Sequence, residues 1–296
     1  GEVWRRALGA CLQLLSALVP LHATLAHELV QGEGLKMITD RRLLSLDLVQ
    51  ADSASSQIVV DALLIVSQLA RNSKEYYPML FQMSICGDLR DLLACSNSSI
   101  RAKACNAIGN MVRHSDAFFD PIHQAGILAQ LVPLCADSDS ACRKFAAFAV
   151  GNIAFHSDLL YRDLALAIPQ LLRLLEDEDE KTRANAAGAI GNLVRNSAEL
   201  CGTMLQEGAL QSLLSLIVSR RPRDTGDPAA VERFAADTSV KIALFALGNL
   251  AVHGECRREL KGPIKAEELC HALMALCQRD DTIHKYSQRL LQKLFG

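Results

Sequence analysis

The dipeptide Gly-Asn recurs at Gly109-Asn110, Gly151-Asn152, Gly191-Asn192 and Gly248-Asn249, at separations of 42, 40 and 57 residues. Each copy lies in the middle of a stretch with helical apolar spacing. Glycine costs about 1 kcal/mol relative to alanine there, and asparagine is also a poor interior residue. A disfavoured pair kept at one place in every period constrains the chain to a repeated unit of about 40 residues. A unit that small buries its apolar face only by stacking on copies of itself.

Stepping 42 residues back from Asn110 reaches Gln68, preceded by Ser67, so five segments can be stacked. They are DALLIVSQLARNS, KACNAIGNMVRHS, FAAFAVGNIAFHS, NAAGAIGNLVRNS and IALFALGNLAVHG. With Asn or Gln68 as position zero, position −6 is alanine in all five: Ala62, Ala104, Ala146, Ala186 and Ala243. Position −2 is Val66, Ile108, Val150, Ile190 or Leu247, and position +1 is Leu69, Met111, Ile153, Leu193 or Leu250. Position +4 is Asn72, His114, His156, Asn196 or His253, followed by Ser or Gly, which reads as a helix stop. Before each segment comes a short helix, a break, a second helix and an acidic or Ser-rich turn. Gly126 and Gly208 each lie 16 residues after the preceding Asn.

A three-helix unit of this length, repeated, predicts an all-α fold: a right-handed α-solenoid of about six armadillo/HEAT-like repeats forming one domain over 1–296. The predicted repeats are a partial one at 1–22, then 23–72, 73–114, 115–156, 157–196, 197–253 and a capping unit at 254–296. The 57-residue interval carries an insertion at 219–239, polar and Pro/Gly-bearing, which predicts an exposed, mobile loop. Composition agrees with helix packing: half the residues are apolar but only 5% are aromatic. The ten cysteines include no C-x-x-C pair and read as buried thiols. A formal net charge of −2 gives no general case for a nucleic-acid partner. No segment reads as a signal peptide or as long enough to span a bilayer, so the expectation is a soluble, cytoplasmic protein without a membrane partner.

Third helices of such repeats line a concave groove. Gln68, Asn110, Asn152, Asn192 and Asn249 then form a ladder of amides about 10 Å apart. An amide both donates and accepts, so the ladder can hold the backbone of an extended peptide, or it can bond to the neighbouring repeat or water. The glycine serves close packing of adjacent helices. Positions −7, −4 and +3 share the Asn face. They place Phe145, Phe148 and Phe155 together as an anchor or as part of the core, with Arg113 and Arg195 at a basic rim. No catalytic constellation, cofactor motif or metal-ligand spacing is present: there is no P-loop, no G-x-G-x-x-G and no G-x-S-x-G, and the acidic run Glu176–Glu180 reads as a solvated turn.

The segments KTRANAAGAIGNLVRNSAELC (181–201) and AFAVGNIAFHSDLLY (147–161) resemble the C-terminal armadillo-like region of Fused-type serine/threonine kinases. The resemblance implies a non-catalytic scaffold attached to a kinase domain outside this chain, with a protein partner, kinesin-like or microtubule-associated. It also implies a role in Hedgehog signalling, ciliary assembly or cytokinesis, and a cytoskeletal or ciliary location. The alternative it leaves open is autoregulation of the attached kinase domain. The importin-α branch of the armadillo family places Trp at position −4, where this chain has Leu64, Asn106, Phe148, Gly188 and Phe245.

Overall fold

The computed structural model describes residues 2–279 and 281–296. Every regular element among them is helical, and the chain divides into two compact units, Gly1–His156 and Ser157–Gly296. Seven long helices organise them. In the first unit these are α1 (Glu2–Leu18), α2 (Ser53–Asn72), α3 (Ser98–Met111) and α4 (Ser140–His156). In the second they are α5 (Glu180–Asn192), α6 (Thr238–Leu250) and α7 (Thr282–Phe295). Within the first unit α1 packs on α2, α2 on α3 and α3 on α4; within the second α5 packs on α6 and α6 on α7.

Each of α2–α7 starts at a short polar side chain in the turn before it. Asp52, Asn97, Asp139, Asp179, Asp237 and Asp281 all accept backbone N–H groups of the first helical turn, at 2.7–3.0 Å for the closest. That satisfies donors that a helix start leaves open. The run Glu176–Glu180 is therefore a capping turn, with Asp179 as the cap.

The registers read from the sequence are core registers. The five alanines at position −6 are fully buried, as are the branched residues at −2 and the apolar residues at +1. A methyl is all that fits where two helices cross closely.

The break between the first and second helix of a repeat falls at position +16. Gly126 (φ +70°) and Gly208 (φ +76°) hold the left-handed conformation there, and Ser84 (φ +52°) and Lys265 (φ +52°) do so without being glycine. In the repeat after α4, a 3₁₀ turn at Ala165–Ala167 takes the place of that residue.

Two expectations need correction. The insertion at 219–239 contains a helix, Pro228–Ala236, with Asp227 as its cap, Pro228 at its first turn and Phe234 buried. Asp-Pro is a helix-start signal as well as a loop signal, and a single buried aromatic pins the helix. Second, α2 is long and apolar enough to cross a membrane, but most of it is buried, packed between α1 and α3. Nine cysteines are buried and Cys11 is exposed. Burial pushes the thiols of Cys86 and Cys277 up to about 11 and those of Cys135, Cys142 and Cys270 up to about 12.

Candidate protein-binding face of the third helices

The last carbonyls of a helix have no partner within it. In this chain the Asn of one repeat supplies one. Asn152 Nδ2 donates to the Gly109 carbonyl at 2.9 Å, and Asn249 Nδ2 donates to the Gly191 carbonyl at 3.1 Å. In the last repeat Lys293 does the same to the Gly248 carbonyl at 2.7 Å, and burial pulls its ammonium below the ordinary lysine value. Position +4 continues the pattern. His114, His156 and His253 place Nε2 at 3.0, 3.1 and 2.6 Å from the carbonyls of Arg71, Arg113 and Val194. The three histidines, read as helix stops of their own helix, are thus caps for the helix before.

At Gly109 and Gly191 the glycine is explained by what faces it. A Cβ on Gly109 would lie 2.6 Å from the Phe148 ring, and one on Gly191 would lie 2.8 Å from the Ala246 Cα. Removing the side chain lets the next helix approach until its Asn reaches the Gly carbonyl.

The proposed ladder divides accordingly. Asn152, Asn192 and Asn249 are half-buried at the surface of α4, α5 and α6, and Gln68 is half-buried on α2, where Nε2 bonds to Asn72 Oδ1 at 2.9 Å. For Asn152 and Asn249 one amide donor is committed to the neighbouring repeat. Asn110 does not reach the surface: it is 3% exposed. The reason is Ser67, which stands where other repeats have glycine. Its hydroxyl accepts from Asn110 Nδ2 at 2.9 Å and from Asn106 Nδ2 at 3.1 Å, drawing both inward.

Of the three phenylalanines, Phe155 is exposed, while Phe145 and Phe148 are half-buried, Phe148 lying across Gly109. Arg113 and Arg195 are exposed at the ends of α3 and α5. The solvent face of α4 therefore runs Lys144, Phe145, Phe148, Asn152, Phe155, and Lys144 sits 5.5 Å over the Phe145 ring.

Two recurrent devices escaped the sequence reading. At position −9, Arg101, Arg143 and Arg183 turn back onto the loop before their own helix. Each guanidinium donates to two successive carbonyls at 2.8–3.0 Å: Cys95 and Ser96, Asp137 and Ser138, Asp177 and Glu178. Arg101 also forms a two-pronged pair with Asp137 at 2.9 and 3.0 Å. The second device is a tyrosine in the first helix of a repeat. The Tyr77 hydroxyl donates to the Asn110 carbonyl at 2.9 Å and accepts from His114 N–H at 3.1 Å. Tyr161 donates to the Asn192 carbonyl and accepts from Asn196 N–H at 3.2 Å. In both cases the hydroxyl stands inside what would be the i to i+4 bond of a continuing helix. Accordingly α3 and α5 end at Met111 and Asn192. In α4, whose equivalent residue is Phe119, the helix runs on to His156. Tyr77→Phe is expected to cost about 2 kcal/mol, since it removes one of the bonds to the Asn110 carbonyl and the bond from the His114 N–H. Chemical denaturation measures the cost, and amide exchange at His114 reads the lost bond directly.

These repeats match known ones. Residues 140–193 match the HEAT-like repeat family. A designed armadillo repeat protein solved in complex with the peptide (KR)4 superposes with a TM-score of 0.71 at 23% identity, covering 86% of this chain and 98% of that one. A second engineered protein superposes with a TM-score of 0.78 at 21% identity, covering 97% of this chain and 64% of its own. The fold is an armadillo-like helical repeat. In sequence, the chain is 39% identical over 246 residues to the serine/threonine-protein kinase TIO of Arabidopsis thaliana. That match takes in 82% of this chain and 18% of the kinase. A repeat scaffold is a non-catalytic architecture, and among the described residues no cluster of three His, Cys, Asp or Glu side chains is placed to hold a metal ion.

Proposed function

We propose that this chain is the non-catalytic scaffold region of a Fused-type serine/threonine kinase, and that it binds a protein partner on the solvent face of its third helices. The observation that carries the reading is the register. Within each unit a third helix is fixed to the one before, α4 and α6 by both Asn and His, α3 by Asn110 and His114 and α7 by Lys293, so side chains at −8, −7, −4 and +3 recur at a repeat-defined spacing suited to an extended segment. Two comparisons support it: the identity to a much longer kinase, and the peptide held by a designed relative of the same fold. A kinesin-like or microtubule-associated partner and a cytoskeletal or ciliary location follow from the family resemblance.

The test uses aromatic side chains of this face and spares the Asn, Lys and His that bond to a neighbouring repeat. Phe145→Ser with Phe155→Ser should reduce capture of the partner from lysate at least tenfold, with a change in melting temperature of no more than a few degrees. Phe81→Ser, an exposed aromatic on a first helix, should leave capture unchanged. Equal capture by all three proteins would remove the face from consideration. If the variants bind the partner normally but change the activity of the full-length kinase, the region regulates its own kinase domain instead.

A further inference from the structure

Charge is not spread evenly over this chain. The six helices α2–α7 hold eleven Lys and Arg but only two carboxylates, Asp61 and Glu180, whereas the whole chain has 31 basic and 33 acidic residues. All of the remaining sequence is therefore acidic in balance. The segregation has a local origin at one end only: the acids that cap these helices sit in the turns before them. It does not explain why α3, α4, α6 and α7 contain no acid at all.

Neither exception puts an exposed carboxylate on the first unit's third helices. Asp61 is buried and accepts from Ser16 Oγ at 2.8 Å and Gln57 Nε2 at 3.2 Å. Glu180 stands at the first position of α5 and accepts from Thr238 N–H at 2.8 Å. Among the cations, Arg101, Arg143 and Arg183 are turned back onto loop carbonyls. In the first unit Arg71, Lys103 and Lys144 lie on α2, α3 and α4, and Arg113 lies just past the end of α3. Arg71 and Arg113 are exposed, and among the described residues Arg71, Lys103 and Arg113 form no ion pair.

We infer that the third-helix face of the first unit takes an acidic extended peptide, with Arg71, Lys103 and Arg113 meeting its carboxylates and Phe155 meeting an apolar side chain beside them. This rests on the scaffold reading above and gives the partner a chemistry. It is opposite in sign to the (KR)4 peptide of the designed relative. A segment with carboxylates at alternate positions suits the face because an extended chain repeats every two residues, about 6.8 Å, within reach of long cationic side chains. Pairing with exposed cations sets specificity and association rate more than depth of binding.

Fluorescence anisotropy with three labelled probes tests this on the intact chain. They are an Asp/Glu-rich peptide with interspersed Phe and Leu, its Lys/Arg counterpart, and a single-stranded oligonucleotide of equal charge. The acidic peptide should bind, weaken about tenfold for Lys103→Glu with Arg113→Glu, and weaken with added salt. The basic peptide should bind at least tenfold less tightly to the wild type and gain on the charge-reversed variant. Equal binding of acidic and basic peptides, or no effect of charge reversal, overturns the inference. So does an oligonucleotide that binds more tightly than the acidic peptide, which would make the face a nucleic-acid site. These failures are separable from failure of the scaffold reading. If the Phe145/Phe155 variant loses its captured partner while the charge-reversed variant keeps it, the face stands and its acidic preference does not.

Discussion

Gly191→Val is expected to cost about 3 kcal/mol of stability, while Gly248→Ala, at the same register, is expected to gain about 0.5–1 kcal/mol. The two glycines look alike in sequence and differ in what lies opposite. A Cβ at 191 would stand 2.8 Å from the Ala246 Cα and 2.9 Å from its Cβ. Backbone cannot turn aside as a side chain can, so α5 and α6 must separate. Overpacking of this kind costs about 1–3 kcal/mol for the first carbon and more for a branched one. Separation also stretches the Asn249 bond to the Gly191 carbonyl, now 3.1 Å, which adds to the loss. At Gly248 the nearest atom to a new Cβ is Lys293 Nζ at 3.7 Å, the far end of a flexible chain. There the intrinsic preference of a helix for alanine is felt without opposition. Urea denaturation followed by circular dichroism reads both. A loss of similar size at the two sites would show that the glycines serve a common conformational need rather than a local contact.

How much of this was legible beforehand depends on whether a signal sits on one helix or between two. The alanines at −6 and the branched residues at −2 could be read because burial of one face is written in one helix's own period. The break at +16 was visible where the residue was Gly126 or Gly208 and invisible where it was Ser84 or Lys265, since those types do not announce a positive φ. The latch at −9 was present in the sequence as Arg101, Arg143 and Arg183, in step with the Asn. It was passed over because the partners are backbone carbonyls, which every residue has. The same holds for Asn152 and Asn249: their register was plain, but the Gly carbonyls they meet lie in another repeat. Asn110 shows the limit most sharply. Its position in the ladder is right by period, and a single serine in the preceding repeat takes it out of reach of solvent. Tyr77 and Tyr161 were missed because their partners are 31–37 residues ahead in sequence and the intervening Phe119 breaks the pattern by one hydroxyl.

Arg101→Ala is expected to cost about 3–4 kcal/mol at neutral pH, the largest effect of any single polar substitution in the first unit. The pair it breaks is secluded: the side chains of Arg101 and Asp137 are 14% and 8% exposed. Removing the guanidinium leaves Asp137 with its charge facing little water and leaves the carbonyls of Cys95 and Ser96 without their donor. Breaking one side of a buried pair costs about 3–5 kcal/mol, and partial access to solvent places this one toward the lower end. Acid dissects the two contributions. Burial opposes ionisation of Asp137, but the Arg101 guanidinium and the Asp139 N–H outweigh it and hold the carboxyl below the usual aspartate value. A carboxyl with a depressed folded value contributes stability that is present above its unfolded pKa, near 3.8, and is lost as pH falls through the folded value. In wild type this part of the stability therefore declines below about pH 4, whereas in Arg101→Ala the carboxyl is no longer held down and the decline is shallower. The gap between the two proteins should narrow on acidification but not close, because the bonds from Arg101 to the loop carbonyls do not titrate. Asp137→Asn provides the second arm of a double-mutant cycle, which gives the pairwise energy free of those loop bonds. A gap that stayed constant from pH 7 to pH 3 would mean that Arg101 stabilises the repeat through the loop carbonyls alone.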